Sequence, residues 1–173
     1  MKILVNVFHP NIEASSVNAT WVEVLRKYRD VTLNLQYTNY PNWQFDVVRE
    51  QRLLSEHELI VFQFPFLWYS MPPLMKKWVD DILTYEWAYG IGGEALKGKS
   101  VVLAISTGCS GQSYQAGGEN NYSMSEFLKP IQQTVELTQM NYLPPFVFYS
   151  ALEASQRDID QSAEDYLAHI VKL

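Results

Sequence analysis

Polar residues suited to binding an anion follow the first apolar run of the chain. That run, Ile3–Phe8, leads into His9 and then into Ser15-Ser16-Val17-Asn18, where a helical pattern begins. The first backbone N–H groups of a helix have no partner inside the helix and carry partial positive charge, so the segment can bind a phosphate or carboxylate. A serine that only caps the helix explains the same residues. There is no glycine-rich loop of the P-loop type.

Large apolar residues follow the third apolar run, Leu59–Phe64. They form the segment Pro65-Phe66-Leu67-Trp68-Tyr69, with Pro72-Pro73 shortly behind it. Exposing such side chains is costly unless a flat ligand or a partner subunit covers them. Ordinary core packing is the alternative, but the prolines on both sides favour a rigid, exposed platform.

Small residues follow the fourth apolar run, Ser100–Ser106. Thr107-Gly108-Cys109 opens a polar stretch that continues to Ser123 and contains Tyr114 and Asn120. Small side chains allow backbone amides to approach the edge of a ring closely, although a flexible turn would look the same. Long ordered connections in compact domains are usually functional.

Three other patterns do not predict a site. The segment Gly90–Ala95 matches G-x-G-x-x-A, the dinucleotide-binding fingerprint, but it precedes a strand instead of following one. The three histidines lie in separate elements without ligand spacing, so no metal is predicted. Cys109, the single cysteine, has no evident base and excludes an intramolecular disulfide.

Composition limits the class of protein. The chain has 173 residues, of which 47% are hydrophobic and 18% charged, which predicts one domain over 1–173 with a sizeable core. A net charge of -6 argues against nucleic-acid binding. The first residues resemble a strand rather than a signal peptide, and the longest apolar region is interrupted by prolines, so we expect a cytoplasmic protein.

Short apolar runs alternate with helical patterns along the whole chain. Five strands alternating with five helices predict an α/β three-layer sandwich whose parallel sheet has the flavodoxin-like order 2-1-3-4-5. In such sheets ligands bind beyond the carboxyl ends of the strands, so the loops after strands one, three and four should meet. The predicted strands are Ile3–Phe8, Val31–Tyr37, Leu59–Phe64, Ser100–Ser106 and Phe146–Tyr149, and the predicted helices are Ser15–Tyr28, Phe45–His57, Pro72–Leu83, Ser125–Thr138 and Ser155–Val171.

Taken together, these segments resemble the NAD(P)H:quinone oxidoreductase (DT-diaphorase-like) flavoproteins over nearly the whole chain. The short bacterial members are most similar, including the reductase-like ancillary subunits of potassium-efflux antiporters. The motifs that carry the resemblance are His9-Pro10 with Ser15–Asn18, Phe62–Tyr69, Pro72–Trp78, Trp87–Tyr89 and Ser106–Gly108.

The resemblance implies a homodimer with flavin sites at the subunit interface. FMN, or alternatively FAD, would carry two electrons from NAD(P)H to a quinone by a ping-pong mechanism. Trp68 and Tyr114 are the implied catalytic residues, and Tyr89, reaching across the dimer, Tyr114 and Asn120 are the implied substrate contacts. The implied flavin contacts are His9, Ser15, Ser16, Val17, Asn18, Pro65, Phe66, Leu67, Trp68, Tyr69, Thr107, Gly108, Cys109 and Tyr114.

This chain departs from the family in two residues. Many relatives have glycine where this chain has Cys109, and Asn120 aligns with a histidine of the mammalian enzymes. Asparagine cannot take up a proton near neutral pH. The chain also lacks the C-terminal extension of the larger enzymes, which favours FMN over FAD. A second hypothesis is a regulatory subunit that binds a potassium-efflux antiporter at the inner face of the membrane, with little or no reductase activity.

Overall fold

A single parallel sheet organises the computed structural model, which describes residues 1–173. Seven helices connect and flank the strands, and the strand order β2-β1-β3-β4-β5 confirms the predicted flavodoxin-like fold class. The strands are β1 Ile3–Val7, β2 Val31–Leu35, β3 Leu59–Pro65, β4 Ser100–Ser106, β5 Asn141–Tyr142 and β6 Phe146–Phe148, and the helices are α1 Val17–Leu25, α2 Gln36–Asn39, α3 Val47–Glu56, α4 Pro73–Ile82, α5 Met124–Phe127, α6 Lys129–Leu137 and α7 Gln156–Val171.

The last position of the sheet holds two short strands where the sequence predicted one. Both β5 and β6 pair in parallel with β4, at Ser100–Val101 and at Ala104–Ser106. Pro144 and Pro145 lie between the two strands and have no backbone N–H to donate to the ladder, so the pairing stops and resumes. The predicted strand Phe146–Tyr149 therefore becomes β6, and β5 was missed.

Two apolar layers cover the sheet, as expected for strands buried on both faces. One layer contains Phe64 and Trp78 in a cluster of 21 buried residues, and the other contains Trp21 and Tyr166 in a cluster of 15. α1 and α7 cover the second layer, whereas α3, α4 and α6 cover the first. No helix is both long enough and apolar enough to cross a bilayer.

Most predicted elements differ from the observed ones by one to three residues at an end, and two of the differences change the course of the chain. The helix predicted over Ser125–Thr138 divides into α5 and α6 at Leu128, because Pro130 lacks the N–H that a continuous helix would need. The strand predicted to reach Tyr37 ends at Leu35, and the chain turns into α2.

A buried polar network connects β2, the outermost strand on one side of the sheet, to the neighbouring helices. The Glu50 carboxylate, 1% exposed, accepts hydrogen bonds from the Asn34, Gln36, Tyr40, Arg49 and Trp78 side chains. These donors come from β2, α2, α3, α4 and the turn after α2, so one carboxylate connects the edge strand to three helices. These donors satisfy the buried carboxylate oxygens, which would otherwise be costly to remove from water.

Candidate functional site

A cavity of about 410 Å³ lies at the carboxyl edge of the sheet. The loops after β1, β3, β4 and β6 meet there, at the place predicted from the strand order. Most of its wall comes from the first three of these loops. The lining residues are His9, Ala14, Ser15, Ser16, Val17, Asn18, Pro65, Phe66, Leu67, Ser106, Thr107, Gly108, Ala151 and Leu152.

The end of the cavity beside α1 presents hydrogen-bond donors. Ser15 Oγ accepts from the Asn18 N–H at 3.0 Å, whereas the N–H groups of Ser16 and Val17 have no acceptor within the protein. No lysine or arginine lines the cavity. Any anion bound here is therefore held by the helix N-terminus and neutral donors.

His9 contributes one of these neutral donors. Its Nδ1 accepts a hydrogen bond from the Asn11 N–H at 3.2 Å, so in the neutral ring the hydrogen is on Nε2. Burial lowers the pKa of His9, and the hydrogen bond from Asn11 only partly opposes this shift. The imidazole consequently acts near neutral pH as an uncharged donor.

The aromatic platform is a tight turn with a strained backbone. Leu67 and Ser70 exchange two backbone hydrogen bonds of 3.0 Å, and the two residues between them have positive φ, 46° at Trp68 and 63° at Tyr69. Two consecutive left-handed residues define a type I′ turn, which normally contains Asn and Gly. Trp68 is 93% exposed, whereas the Tyr69 ring stacks on Phe127. The platform is therefore exposed, as predicted, and the paired hydrogen bonds and the Tyr69–Phe127 stacking hold its strained backbone in place.

The loop after β4 places Thr107 in the cavity wall with Tyr114 behind it. Their hydroxyl oxygens are 2.5 Å apart, and the residues are 4% and 7% exposed. Burial raises the pKa of Tyr114, so the phenol remains protonated at neutral pH. Tyr114 does not line the cavity, although its ring packs edge-on against Phe66.

Two other predicted site residues, Cys109 and Asn120, lie in the segment that follows β4. Cys109 is half-buried next to the cavity, and the backbone N–H groups of Gly108 and Cys109 have no protein acceptor. Asn120 is buried with Nδ2 unpaired, and its N–H donates to the Ser113 carbonyl.

Tyr89 lies away from the cavity. It lines a second pocket with Val79 of α4, with Leu83 just after that helix and with Leu137 of α6, where these two helices end. Both helices run from the carboxyl edge of the sheet to its amino edge, so Tyr89 does not reach the cavity of its own chain. The sequence motif did not show this, because the length of α4 separates Tyr89 from the cavity.

Four lining residues were not among the predicted contacts. Ala14 and Ser106 flank predicted residues, whereas Ala151 and Leu152 come from the loop after β6. Leu152 is 88% exposed yet lies so close to Gly108 that a Cβ at that glycine would be 2.8 Å from the leucine side chain. The signal for this loop was present, since the carboxyl ends of all parallel strands share one edge.

The fold and the cavity together define a flavodoxin-like α/β protein with a ligand site at the carboxyl edge of its sheet. The model of the Flavodoxin_2 family, described as having a flavodoxin-like fold, matches residues 1–170. The chain therefore belongs to the Flavodoxin_2 family.

Several curated bacterial proteins match almost the whole chain. General stress protein 14 of Bacillus subtilis is 51% identical over 98% of this chain and 97% of its own. An uncharacterized NAD(P)H oxidoreductase of the same organism, YrkL, is 51% identical over 96% and 98%. The glutathione-regulated potassium-efflux system ancillary protein KefG of Pectobacterium atrosepticum is 36% identical over 95% and 90%.

Solved structures with the same fold carry different names. General stress protein 14 of Treponema denticola, in complex with FMN, has a TM-score of 0.96 and 40% identity over 99% of both chains. A thermophilic tryptophan halogenase from Streptomycin violaceusniger has a TM-score of 0.96 and 46% identity over 98% of this chain and 99% of its own. An NADPH-quinone reductase of P. pentosaceus has a TM-score of 0.85 and 30% identity over 96% and 97%.

Proposed function

We propose that this protein is an FMN-dependent NAD(P)H:quinone oxidoreductase. The carrying observation is the donor-lined cavity beside α1, with an exposed aromatic platform at its mouth. The similarity to an FMN complex at 40% identity supports the cofactor. The relatives named NAD(P)H oxidoreductase and NADPH-quinone reductase support the two substrates.

The residues fit FMN because the cavity offers donors to an acceptor-rich group. The free N–H groups of Ser16 and Val17, with His9 Nε2, would bind the phosphate. Phe66 and Leu67 would flank the ring system, with Trp68 and Tyr69 at its exposed side. FMN, when bound, supplies the chemistry of accepting a hydride and passing two electrons on.

The protein's own contribution is position and electrostatics. The free N–H groups of Gly108 and Cys109 would donate to the pyrimidine edge, where negative charge develops on reduction. One platform serves one flat substrate at a time, so NAD(P)H and the quinone would bind in turn, as in a ping-pong mechanism. Tyr114, which does not line the cavity, would act on the substrate through its hydrogen bond with Thr107. Asn120, also outside the lining, can donate a hydrogen bond but not a proton near neutral pH.

We also propose that the protein acts in the cytoplasm as a homodimer of a single domain, with each site completed by the partner. Trp68 is 93% exposed and Ile91, in the loop that carries Tyr89, is 81% exposed. These two side chains lie at opposite ends of the molecule, and a second copy that covered both would remove their apolar surface from water. A second copy would bring its own Tyr89 to the cavity that the same chain's Tyr89 cannot reach.

The test begins with the cofactor. The protein as purified should release FMN, identified by its mass, and the holoprotein should be reduced anaerobically by NADH or NADPH and reoxidised by menadione. Parallel initial-rate lines with varied NAD(P)H and menadione would support binding in turn. Protein that takes up neither FMN nor FAD and leaves NAD(P)H unoxidised in the presence of menadione would overturn the proposal.

The second candidate is a regulatory subunit of a potassium-efflux antiporter, supported by 36% identity to KefG. Co-purification with a membrane antiporter, and loss of potassium efflux after deletion of the gene, would support this function. Unchanged efflux in the deletion strain would reject it. Retention of efflux control by a variant that no longer oxidises NAD(P)H would separate the two functions.

A further inference from the structure

Three buried polar side chains from three elements form a chain of hydrogen bonds beneath the cavity. Gln63 Nε2 of β3 donates to both the backbone oxygen and Oδ1 of Asn18, each at 3.2 Å. Asn18 Nδ2 of α1 donates to Ser106 Oγ of β4 at 2.9 Å. Asn18 and Ser106 line the cavity, whereas Gln63 is fully buried and does not. Any effect of Gln63 on a ligand must therefore pass through its neighbours.

The backbone oxygen of Asn18 determines the orientation of both amides. A carbonyl oxygen can only accept, so the Gln63 atom facing it must be the nitrogen. The same Gln63 nitrogen also lies 3.2 Å from one end of the Asn18 side-chain amide. Because the nitrogen donates, that end of Asn18 must be the accepting oxygen, Oδ1. Asn18 Nδ2 is then the atom that faces Ser106. An isolated asparagine has no such preference.

The orientation of the Gln63 amide leaves its oxygen without a hydrogen-bond donor. Gln63 Oε1 is buried and has no donor within the protein. A buried acceptor without a partner destabilises the folded state, by about 1–3 kcal/mol in general. Reversing the Gln63 amide would not relieve this, because it would place an oxygen against the Asn18 carbonyl. The side chain is therefore held with its donor toward Asn18.

This orientation leaves two hydrogen-bond donors free at the wall of the cavity. Asn18 Nδ2 has a second hydrogen, and Ser106, whose oxygen accepts from Asn18, has a hydroxyl hydrogen with no protein acceptor. We propose that Gln63 is a positioning residue that orients Asn18 so that Asn18 and Ser106 donate hydrogen bonds to the phosphate-bearing side of FMN. The inference rests on the proposed function for the identity of the ligand.

The experiment measures FMN affinity of the apoprotein by quenching of flavin fluorescence. Gln63→Leu removes the donor and should weaken FMN binding about tenfold or more. Gln63→Glu offers only acceptors when ionised but regains a donor when protonated. Its affinity, relative to wild type at the same pH, should be low at about pH 8.5 and recover at about pH 5.5. Taking the ratio to wild type cancels titration of His9 and of the phosphate.

A double-mutant cycle tests whether Gln63 acts through Asn18. Asn18→Asp removes the Nδ2 donor, so Asn18→Asp with Gln63→Leu should bind FMN no more weakly than Asn18→Asp alone. Gln51→Leu is the matched control, because it removes an amide that donates to the Ile82 carbonyl far from the cavity. That variant should bind FMN like wild type. Near-UV circular dichroism selects the variants that fold. The cycle uses Gln63→Leu and Asn18→Asp, so it still tests the proposal if Gln63→Glu does not fold.

The outcomes separate this inference from the proposed function. Wild type that binds no flavin would overturn the proposed function. Wild type that binds FMN while Gln63→Leu binds equally well would overturn the positioning role alone. Additive losses in the cycle, or a Gln63→Glu loss that is the same at both pH values, would also overturn it.

Discussion

At the scale of single residues, the site combines strain with unpaired donors. Trp68 and Tyr69 occupy left-handed backbone conformations that cost a residue with a Cβ roughly 1–2 kcal/mol each. The neighbouring loops leave the N–H groups of Ser16, Val17, Gly108 and Cys109 without acceptors. Folding alone favours neither feature. A flat ligand with many acceptors would pair the free N–H groups and cover the exposed aromatic platform.

Replacing Trp68-Tyr69 by Asn-Gly should relieve this strain. These residues prefer the type I′ turn, so the free energy of unfolding should rise by about 1–3 kcal/mol. Loss of the platform should lower the rate of NAD(P)H oxidation at least about tenfold. Urea unfolding and steady-state assays measure both effects. Gln139→Gly is the control, since Gln139 has φ 60° at an exposed position away from the cavity and should gain stability at unchanged activity.

The buried His9 should make stability depend on pH. Its pKa is lowered in the folded protein, so the unfolded chain binds the proton more readily. The contribution of neutral His9 is complete above its unfolded pKa of about 6.5 and is lost as pH falls through the lower folded value. Urea unfolding between about pH 8 and 5 should show wild type losing stability relative to His9→Asn. Parallel pH profiles of the two proteins would contradict this.

At the scale of elements, the cavity depends on strands and loops that are held from behind. Glu50 connects β2, α2, α3 and α4, and Tyr37, in α2, accepts a hydrogen bond from the Leu74 N–H at the start of α4. Because α4 follows the platform directly, its N-terminus determines where the platform ends. The Glu50 network therefore supports the site without contacting it.

Glu50→Gln should reduce stability strongly. The amide would place an NH₂ group against donors that now share the carboxylate, leaving buried donors unpaired at a cost of about 2–4 kcal/mol. Thermal and urea unfolding measure the loss. Glu23→Gln is the matched control, because Glu23 pairs with Arg26 at the surface and should change stability by less than about 0.5 kcal/mol. Equal effects at the two positions would exclude a special role for Glu50.

At the scale of the whole molecule, the fold places Tyr89 far from the cavity of its own chain. α4 carries the chain from the cavity to the opposite edge of the sheet, and Tyr89 lies beyond its end. A substrate role for Tyr89 therefore requires a second chain. The proposed homodimer would link the oligomeric state to the activity through this one residue.

Mixed dimers should show this link. Asn18→Asp damages the cavity of its own chain, whereas Tyr89→Ala would damage only the site on the partner. Each variant alone should have little activity, but random reassortment of the two should restore about a quarter of the wild-type rate, because half the dimers are mixed and each has one intact site. Assays after mixing and dilution measure the recovery. No recovery despite exchange of subunits would show that each site belongs to one chain.

Most of the fold was predictable from the sequence because it depends on local patterns. Buried parallel strands such as Ile3–Val7 and Ser100–Ser106 are continuous apolar runs, and their alternation with helices leaves few topologies. The strand order in turn brings the loops containing His9, Pro65 and Thr107 to one edge. The break between β5 and β6 was not anticipated, although Pro144 and Pro145 are its cause.

The tertiary structure alone decided which atoms face the cavity. No local pattern shows that Leu152 reaches Gly108, that Tyr114 stands behind Thr107, or that Gln63 orients Asn18, because these pairs come from different elements or from irregular loops. Local patterns along the chain were enough to predict the sheet, its ligand edge and the residue types there. Hydrogen-bond direction, backbone strain and the distance to Tyr89 arise only when the elements pack, since each depends on contacts between segments distant along the chain.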